Sequence, residues 1–197
     1  MPNSRRYNSL VTRIRKLSNT ILPPSKPSNI YTAKEQDLIR AFVVLSHAEI
    51  EAFLEDVTKD KATKELRKWI SGRKRSNCLK SIASYVGPLL AAERFPHPND
   101  HEERIKKIVG HFIGLIRKNN GVKESDVLSL VLPIGVEYSL LDPVWLQEME
   151  TFGTFRGSLV HTTHQVQLPL DRDNEYNRIM TRIIPELGNV DLLIKSV

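Results

Sequence analysis

The stretch KEQDLIRAFVVLSHAEIEAFLEDV, residues 34–57, decides the fold class. It contains neither glycine nor proline, and its apolar residues recur at spacings of three and four, which is the period of an α-helix. Thr32 precedes it as a candidate N-cap, because a threonine hydroxyl can accept a free backbone N–H at the start of a helix. We therefore predict a core helix that begins near Thr32, continues to Ile70 and ends near Gly72.

The rest of the chain is also predicted to be helical. Residues 1–22 have apolar positions at helical spacing, and the proline-rich segment 23–28 then forms a stiff connector. Further helices are expected at about Ser76–Arg94, at His101–Asn119, after Lys123, from Pro143 to about Thr163, and from Asp173 to Leu187 or beyond. Strand-like alternation is nearly absent, so we predict an all-α helical bundle with additional helices. A single domain over 1–197 is expected, with 1–30 as helix and connector and 31–197 as the bundle.

Composition limits the class of protein. Hydrophobic residues make up 40% of the chain and charged residues 26%, which is ordinary for a soluble globular protein. No apolar run approaches the roughly 20 residues of a membrane span, and the N-terminus lacks the apolar core of a secretory signal, so we expect a cytoplasmic protein without a membrane partner. Cys78 is the single cysteine, which excludes an internal disulfide, and we expect it to be buried rather than reactive.

The basic excess favours a polyanionic partner. A net charge of +6 and a pI near 9.5 attract polyanions at long range and through counterion release. Much of the charge lies in two stretches, Arg5–Lys16 and Arg67–Lys80. Each stretch is compatible with an RNA-facing patch and equally with a solvated helix face, so the role of both remains open.

Glu49 is the first candidate site residue. On a helix that turns about 100° per residue it lies within an apolar stripe of the core helix. The stripe consists of Leu38, Phe42, Leu45, Ala52 and Phe53. Arg40, His47 and Glu51 project to the opposite side, as an ordinary polar face would. A carboxylate on an apolar stripe is costly unless it is paired, so we expect Glu49 to contact a cation, with Arg156 as the candidate; a purely structural ion pair fits equally well.

Arg156 and His161 are the second candidate site, within FRGSLVHTT (155–163). RNA cleavage without a metal needs a group that accepts the proton of the ribose 2′-hydroxyl and a group that protonates the leaving 5′-oxygen. It also needs a fixed cation near the phosphorane. Imidazole can perform either proton transfer at neutral pH, and guanidinium supplies permanent charge with bidentate phosphate geometry.

Spacing alone does not single out this pair. Three other arginines are followed by a histidine at a similar distance: Arg40 with His47, Arg94 with His101, and Arg104 with His111. Context distinguishes Arg156 and His161, because they lie near the end of a late helix and before a polar run. Residues five apart on a regular helix diverge by about 140°, so we expect the helix to end or distort between them, which Gly157 would ease. A two-fold dimer would instead supply a second copy of the pair.

Three segments together resemble a known family. They are LIRAFVVLSHAEIEAFLEDV (38–57), FGTFRGSLVHTT (152–163) and LPLD (168–171). The chain resembles the RiboL-PSP-HEPN branch of the HEPN superfamily, from its N-terminal basic helix to its last helix. The resemblance implies a helical bundle that is active as a dimer, with an arginine and a histidine as the ribonuclease motif; these fall on Arg156 and His161. It also implies a polar residue from an earlier helix, a role that Glu49 fits.

The function implied is metal-independent endoribonuclease activity in a prokaryotic defence or toxin–antitoxin type system. RNA would be cleaved through 2′-hydroxyl attack to give a 2′,3′-cyclic phosphate, with no cofactor. The expected partners are RNA, a second copy of the chain, and an antitoxin or regulatory protein. The alternative is a non-catalytic HEPN dimer that serves as an RNA-binding or protein-interaction module, because the superfamily includes members without catalysis.

Other site types have weaker support in the sequence. His161 and His164 stand three residues apart, as zinc ligands can, but no cysteine lies nearby and no metal site is expected. Trp69 and Trp145 could stack on bases, but aromatic residues at helical spacing are more often part of a core.

Overall fold

The computed structural model describes residues 2–72, 74–92, 101–161 and 168–197, and these ranges are helical without a strand. The prediction of an all-α fold is confirmed. The elements in chain order are α1 (Arg5–Ile21), α2 (Ala33–Gly72), α3 (Asn77–Ala92), α4 (His101–Ile116), α5 (Glu124–Val131), a 3₁₀ turn (Tyr138–Leu140), α6 (Pro143–His161), α7 (Arg172–Asn177), a π-helical turn (Arg178–Ile183) and α8 (Ile184–Ser196).

Helix α2 is the long axis of the bundle, and its boundaries agree with the sequence prediction. Its start is a capping box: the Glu35 backbone N–H donates to Thr32 Oγ1 at 3.3 Å, and the Thr32 N–H donates to the Glu35 carboxylate at 2.8 Å. It ends at Gly72 after 40 residues, which corresponds to about 60 Å at 1.5 Å per residue. A helix of that length offers a continuous surface to all the others.

Helix α1 covers one flank of α2. Leu10, Ile14 and Leu17 lie on its inner face and are buried, whereas the basic residues between them are exposed. The proline-rich connector returns the chain to the start of α2, where Lys26 Nζ and the Glu35 carboxylate form an ion pair at 2.7 Å. The predicted N-terminal amphipathic helix is therefore confirmed, and its apolar stripe packs on α2.

The remaining helices cover the other flank of α2. Helices α3 to α8 each contact it, and α3 also pairs with α4. Fully buried side chains from both partners fill the interface, among them Phe42, Ile50 and Leu54 of α2, Phe112 of α4 and Phe152 of α6. Because α2 is covered on two sides, apolar residues occur nearly all around it, as in helices at the centre of a domain.

The C-terminal segment is one helical run with an irregular middle. We predicted a helix from Asp173 to Leu187 or beyond, and the chain is helical from Arg172 to Ser196 with a π-helical turn inside. Pro185 follows this turn, and a proline has no N–H to continue α-helical bonding, which is consistent with the change of geometry. Leu170 anchors the run, since its backbone exchanges two hydrogen bonds of 3.1 and 2.8 Å with the Gln36 side chain.

Replacing Thr32 by alanine tests the capping box. We expect Thr32→Ala to lower the free energy of unfolding by about 1 kcal/mol, because the Glu35 N–H loses its acceptor. Urea denaturation followed by circular dichroism measures this. Thr20→Ala is the matched control, since Thr20 is exposed near the end of α1 and bonds only a carbonyl of its own helix. An equal loss in both variants would contradict the capping role.

Candidate active site

Arg156 lies on α6, and His161 is the last residue of that helix. The expectation that the helix ends or distorts between them is not met, because α6 is continuous through Gly157 to His161. On a continuous helix the two positions are about 140° apart around the axis and about 7.5 Å apart along it. The helical backbone therefore does not bring both residues of one chain to the same side. His164 lies outside the described residues.

Gly153 allows α6 to approach the start of α5 closely. A Cβ atom at this position would lie 2.7 Å from Lys123 Cγ and 3.2 Å from the Lys123 backbone nitrogen, both within van der Waals contact. The ring of Phe152, the residue before Gly153, packs on the His47 imidazole of α2, and the two ring centroids lie 5.6 Å apart. Helix α6 is thus fixed against both α5 and α2 directly before Arg156.

Arg156 lies beside two polar residues of α2, His47 and Glu51. Burial lowers the pKa of His47 to about 4, and the positive charge of Arg156 contributes to this. Burial and the nearby Glu55 raise the pKa of Glu51, while Arg156 acts in the opposite direction. We call His47, Glu51 and Arg156 the Arg156 cluster. It contains a permanent cation, an imidazole that is neutral at pH 7, and a carboxyl group.

The polar atoms of the Arg156 cluster are incompletely satisfied. Arg156 Nε and His47 Nδ1 are buried, and neither has a hydrogen-bond partner in the part of the chain that the structure describes. His47 Nδ1 lies 3.7 Å from a Glu51 carboxylate oxygen, which is too long for a hydrogen bond. Buried polar atoms without partners are costly, and they are commonest where a protein binds or transforms a ligand.

The loop between α4 and α5 completes the surroundings of Glu51. The Gly121 backbone N–H lies near the Glu51 carboxyl group and acts to lower its pKa. Asn119 Nδ2 donates to Glu55 at 3.1 Å and to the Gly121 carbonyl at 3.0 Å, so it ties this loop to α2. Gly121 has φ +157°, and a Cβ there would lie 2.5 Å from an Asp126 carboxylate oxygen. The loop is therefore tightly packed where it meets Glu51.

The prediction that Glu49 pairs with Arg156 is wrong. Arg13 Nε of α1 donates to Glu49 Oε1 at 2.8 Å, and both side chains are partly exposed. The predicted polar face of α2 is also wrong, because His47 on it is 1% exposed. Phe42 and Phe53 of the predicted apolar stripe are buried, but Leu45 of that stripe is 40% exposed. The physical reason is that α2 is covered on two flanks, so its most apolar stripe does not identify the side that faces α6.

One signal in the sequence could have identified the inner face. Arg40, His47 and Glu51 are seven and four residues apart, so they share one side of the helix. In the structure the Arg40 side chain is largely buried, and its Nη1 donates a hydrogen bond to Asp37 at 3.1 Å. Its Nε has no partner within the ranges that the structure describes. Three polar residues aligned on a core helix indicate a polar site more directly than one carboxylate on an apolar stripe.

Both basic stretches contain side chains that form ion pairs with carboxylates of α2. In the first stretch, Arg6 pairs with Asp56 and Asp60 of α2, and Arg13 pairs with Glu49 as described above. In the second, Lys68 pairs with Glu65 at 2.8 Å. Part of the excess of basic residues therefore forms ion pairs between helices.

Cys78 is fully buried, and burial raises the pKa of its thiol to about 12, as expected for a structural cysteine. Within the described ranges, no group of three His, Cys, Asp or Glu side chains is arranged to hold a metal ion. No helix in the same ranges is long and apolar enough to cross a membrane.

Comparison with known families agrees with the helical bundle. The sequence model of RiboL-PSP-HEPN matches residues 6–181, which is most of the chain. The fold is thus that of a HEPN-type helical domain, and the chain belongs to the RiboL-PSP-HEPN family. This membership supports an RNA-related role. No curated protein and no solved structure matches the chain.

Two glycines of α6 provide a matched pair of stability tests. We expect Gly153→Ala to lower the free energy of unfolding by about 1–3 kcal/mol, because its methyl group would overlap Lys123. Gly157→Ala should raise the free energy of unfolding by about 0.5–1 kcal/mol, because among the described residues only the backbone of its own helix lies near the added Cβ, and alanine favours a helix. Urea denaturation measures both changes. Stabilisation by Gly153→Ala would contradict the close approach of α6 to α5.

The depressed pKa of His47 leads to a pH test. An unfolded chain binds a proton on this imidazole near pH 6.5, but the folded protein does so only near pH 4. Acidification therefore favours the unfolded state: the contribution of His47 is fully present above pH 6.5 and is lost as the pH falls towards 4. Between pH 7 and 4.5, wild type should lose roughly 2 kcal/mol more stability than His47→Gln, measured by urea denaturation. Equal losses would indicate that His47 titrates normally.

Proposed function

We propose that this protein is a metal-independent endoribonuclease that acts as a two-fold dimer. The observation that carries the proposal is the position of Arg156. Its guanidinium is half-buried near the end of α6, its Nε has no partner among the described residues, and it lies five residues before His161. A cation held in a partly buried setting interacts strongly with a phosphate, because water screens it less than at an open surface.

In the proposed reaction the ribose 2′-oxygen attacks the adjacent phosphorus atom and the bond from phosphorus to the 5′-oxygen breaks. The 2′-hydroxyl gives its proton to one imidazole, and the 5′-oxygen receives a proton from a second, protonated imidazole. The products are a 2′,3′-cyclic phosphate and a 5′-hydroxyl. Arg156 stabilises the phosphorane, and His161 performs the proton transfers.

The second imidazole is proposed to come from the second subunit. Within one chain the positions of Arg156 and His161 diverge by about 140° on a continuous helix, so a single α6 is poorly suited to aim both at one phosphate. A two-fold axis near the end of α6 would bring two copies of each residue to one cleft. In such a cleft the bound RNA decides which imidazole accepts a proton and which one donates it.

His47 and Glu51 are proposed as positioning residues for Arg156. The charge of Arg156 acts on the Glu51 carboxyl group, and the Gly121 backbone N–H lies near that group. His47 is neutral at pH 7 and packs on Phe152, so it separates Arg156 from the core without adding charge. We therefore assign to Glu51 the orienting role that the sequence suggested for Glu49. The position of Glu49, paired with Arg13, supports a link between α1 and α2 instead.

The biological setting proposed is prokaryotic defence or a toxin–antitoxin type system. A ribonuclease without a cofactor requirement would be active as soon as it folds and dimerises, and this argues for a protein partner that restrains it. We propose an antitoxin or regulatory protein in that role.

Cleavage of labelled tRNA and mRNA in EDTA tests the proposal. We expect cleavage by the wild type with cyclic-phosphate ends. Arg156→Ala should reduce the rate about 10²–10³-fold, as for loss of a donor to a developing negative charge, and His161→Ala about 10²–10⁴-fold. Melting temperatures measured beside the rates separate chemistry from folding. A strict magnesium requirement, or equal cleavage by wild type and both variants, would reject the mechanism.

Glu51→Gln and Glu49→Gln form the matched pair for the orienting carboxylate. Both substitutions remove one charge from α2 and keep the side chain's shape. We expect roughly ten- to a hundredfold slower cleavage for Glu51→Gln, because a small displacement of Arg156 is costly, and less than a twofold change for Glu49→Gln. The reverse order would restore Glu49 to the site, as the sequence suggested.

A specific observation favours the alternative function as a protein-interaction module. Tyr138, Leu140 and Val144 lie close together in the chain, between the 3₁₀ turn and the first turn of α6, and all three are exposed. Exposed apolar side chains so near one another are typical of contact surfaces between proteins. Absence of cleavage, together with a melting temperature that His161→Ala lowers strongly, would support this alternative.

A further inference from the structure

Arg178, the first residue of the π-helical turn, holds α6 from the C-terminal segment. Its Nε donates a hydrogen bond to Glu148 Oε1 at 2.5 Å, and its Nη2 donates one to Thr151 Oγ1 at 2.7 Å. The guanidinium carbon lies 5.4 Å from the centroid of the Phe152 ring and 5.8 Å from that of the Phe155 ring. One side chain thus contacts four residues of α6, over about two helical turns.

The two rings that Arg178 contacts belong to the surroundings of the Arg156 cluster. Phe152 is fully buried and packs on the His47 imidazole of α2, with ring centroids 5.6 Å apart. Phe155 directly precedes Arg156 in α6. The Phe152 ring therefore lies between two contacts, one with Arg178 and one with His47. A displacement of this ring would change the position of α6 on α2.

Arg178 is not placed to bind a substrate phosphate itself. Only 12% of its side chain is exposed, and two of its nitrogen atoms already donate hydrogen bonds to α6. Glu148 balances its charge and also accepts a hydrogen bond from Arg182 Nη1 at 3.2 Å. Because its charge is balanced and its donors are engaged, this guanidinium has little capacity left for a phosphate. Its contribution is therefore to the position of α6.

The backbone leaves regular α-helical geometry at the same place. Arg178–Ile183 forms a π-helical turn between α7 and α8. π-Helical turns are rare, and those that occur inside helices are frequently found at functional sites. Here the turn begins at the residue that contacts α6, so the irregular backbone and the contact with α6 coincide.

We propose that Arg178 is a positioning residue for Arg156. By fixing Phe152 and Phe155 of α6, it keeps the Arg156 guanidinium beside His47 of α2. Its effect on RNA cleavage rests on the proposed ribonuclease function, whereas its effect on the Arg156 side chain does not. A misplacement of about 1 Å, caused by a change away from the reacting atoms, can slow catalysis about 10²-fold.

Arg178→Met and Arg182→Met form the matched pair of variants. Each removes one arginine that bonds Glu148, and methionine resembles arginine in helix propensity. Arg178 lies over two rings of α6, whereas Arg182 is 50% exposed and bonds Glu148 and Asn174. A difference between the two variants therefore reports on the contact with the rings.

The first measurement is the rate at which the Arg156 Nε–H proton exchanges with solvent, followed by heteronuclear NMR and assigned with Arg156→Lys. In the wild type we expect slow exchange, because this nitrogen is buried. Exchange should be about tenfold faster or more in Arg178→Met, and should change less than about twofold in Arg182→Met, because only the first loosens α6 locally. Thr32→Ala controls for a general loss of stability, since Thr32 caps α2 at its start.

The second measurement is cleavage of RNA in EDTA. Arg178→Met should lower kcat about 10- to 100-fold and change KM less than about twofold, because Arg178 positions Arg156 and does not contact the RNA. In an Arg156→Ala background the same substitution should have less than about a twofold further effect. A residue that acts through Arg156 loses its influence once that side chain is absent.

Several results would overturn the proposal. One is fast exchange of the Arg156 Nε–H already in the wild type, and another is exchange at the wild-type rate in Arg178→Met. Equally faster exchange in Arg178→Met and Thr32→Ala would indicate general loosening instead. Equal losses of cleavage with and without Arg156 would mean that Arg178 acts by another route. If the wild type does not cleave RNA, the ribonuclease proposal fails, and the exchange measurement alone decides the role of Arg178.

Discussion

The structure depends on the burial of α2 along two flanks. Helix α1 covers one flank, and the helices from α3 onwards cover the other, so the free energy of apolar burial is gathered around a single axis of 40 residues. Such a helix needs apolar residues nearly all around its circumference. Any polar residue that it carries on a covered side must then be satisfied by a partner from another helix, or remain costly. Every polar group buried on α2 is therefore informative.

His47 and Glu51 are such groups, and α6 supplies the cation beside them. Gly153 makes this possible, because a larger residue there would hold α6 away from Lys123 and so displace Arg156. The cluster combines a permanent positive charge with two buried nitrogen atoms that have no hydrogen-bond partner among the described residues. Buried nitrogen atoms without a partner beside a permanent cation fit a site that binds a phosphate.

Part of the protein's basic charge is used for contacts between its own helices. Arg6 and Arg13 of α1 pair with carboxylates of α2, so part of the N-terminal basic stretch holds two helices together. Arg75 and Lys80 of the second basic stretch are exposed instead. The net positive charge alone suggests a polyanionic partner, but only the placement of individual cations distinguishes those that bind the protein's own acids from those that can face RNA.

The sequence by itself determined the helical class, the limits of α2 with its Thr32 cap, and Arg156 and His161 as the pair to examine. These follow from local chemistry: the spacing of apolar residues, a capping hydroxyl, and residue types suited to proton transfer and phosphate binding. The tertiary structure decided which side of α2 faces α6. It placed Glu51 and His47 beside Arg156, and Glu49 beside Arg13. Periodicity could not decide this, because a helix covered on two flanks has two buried faces, and only the packing of other helices distinguishes them.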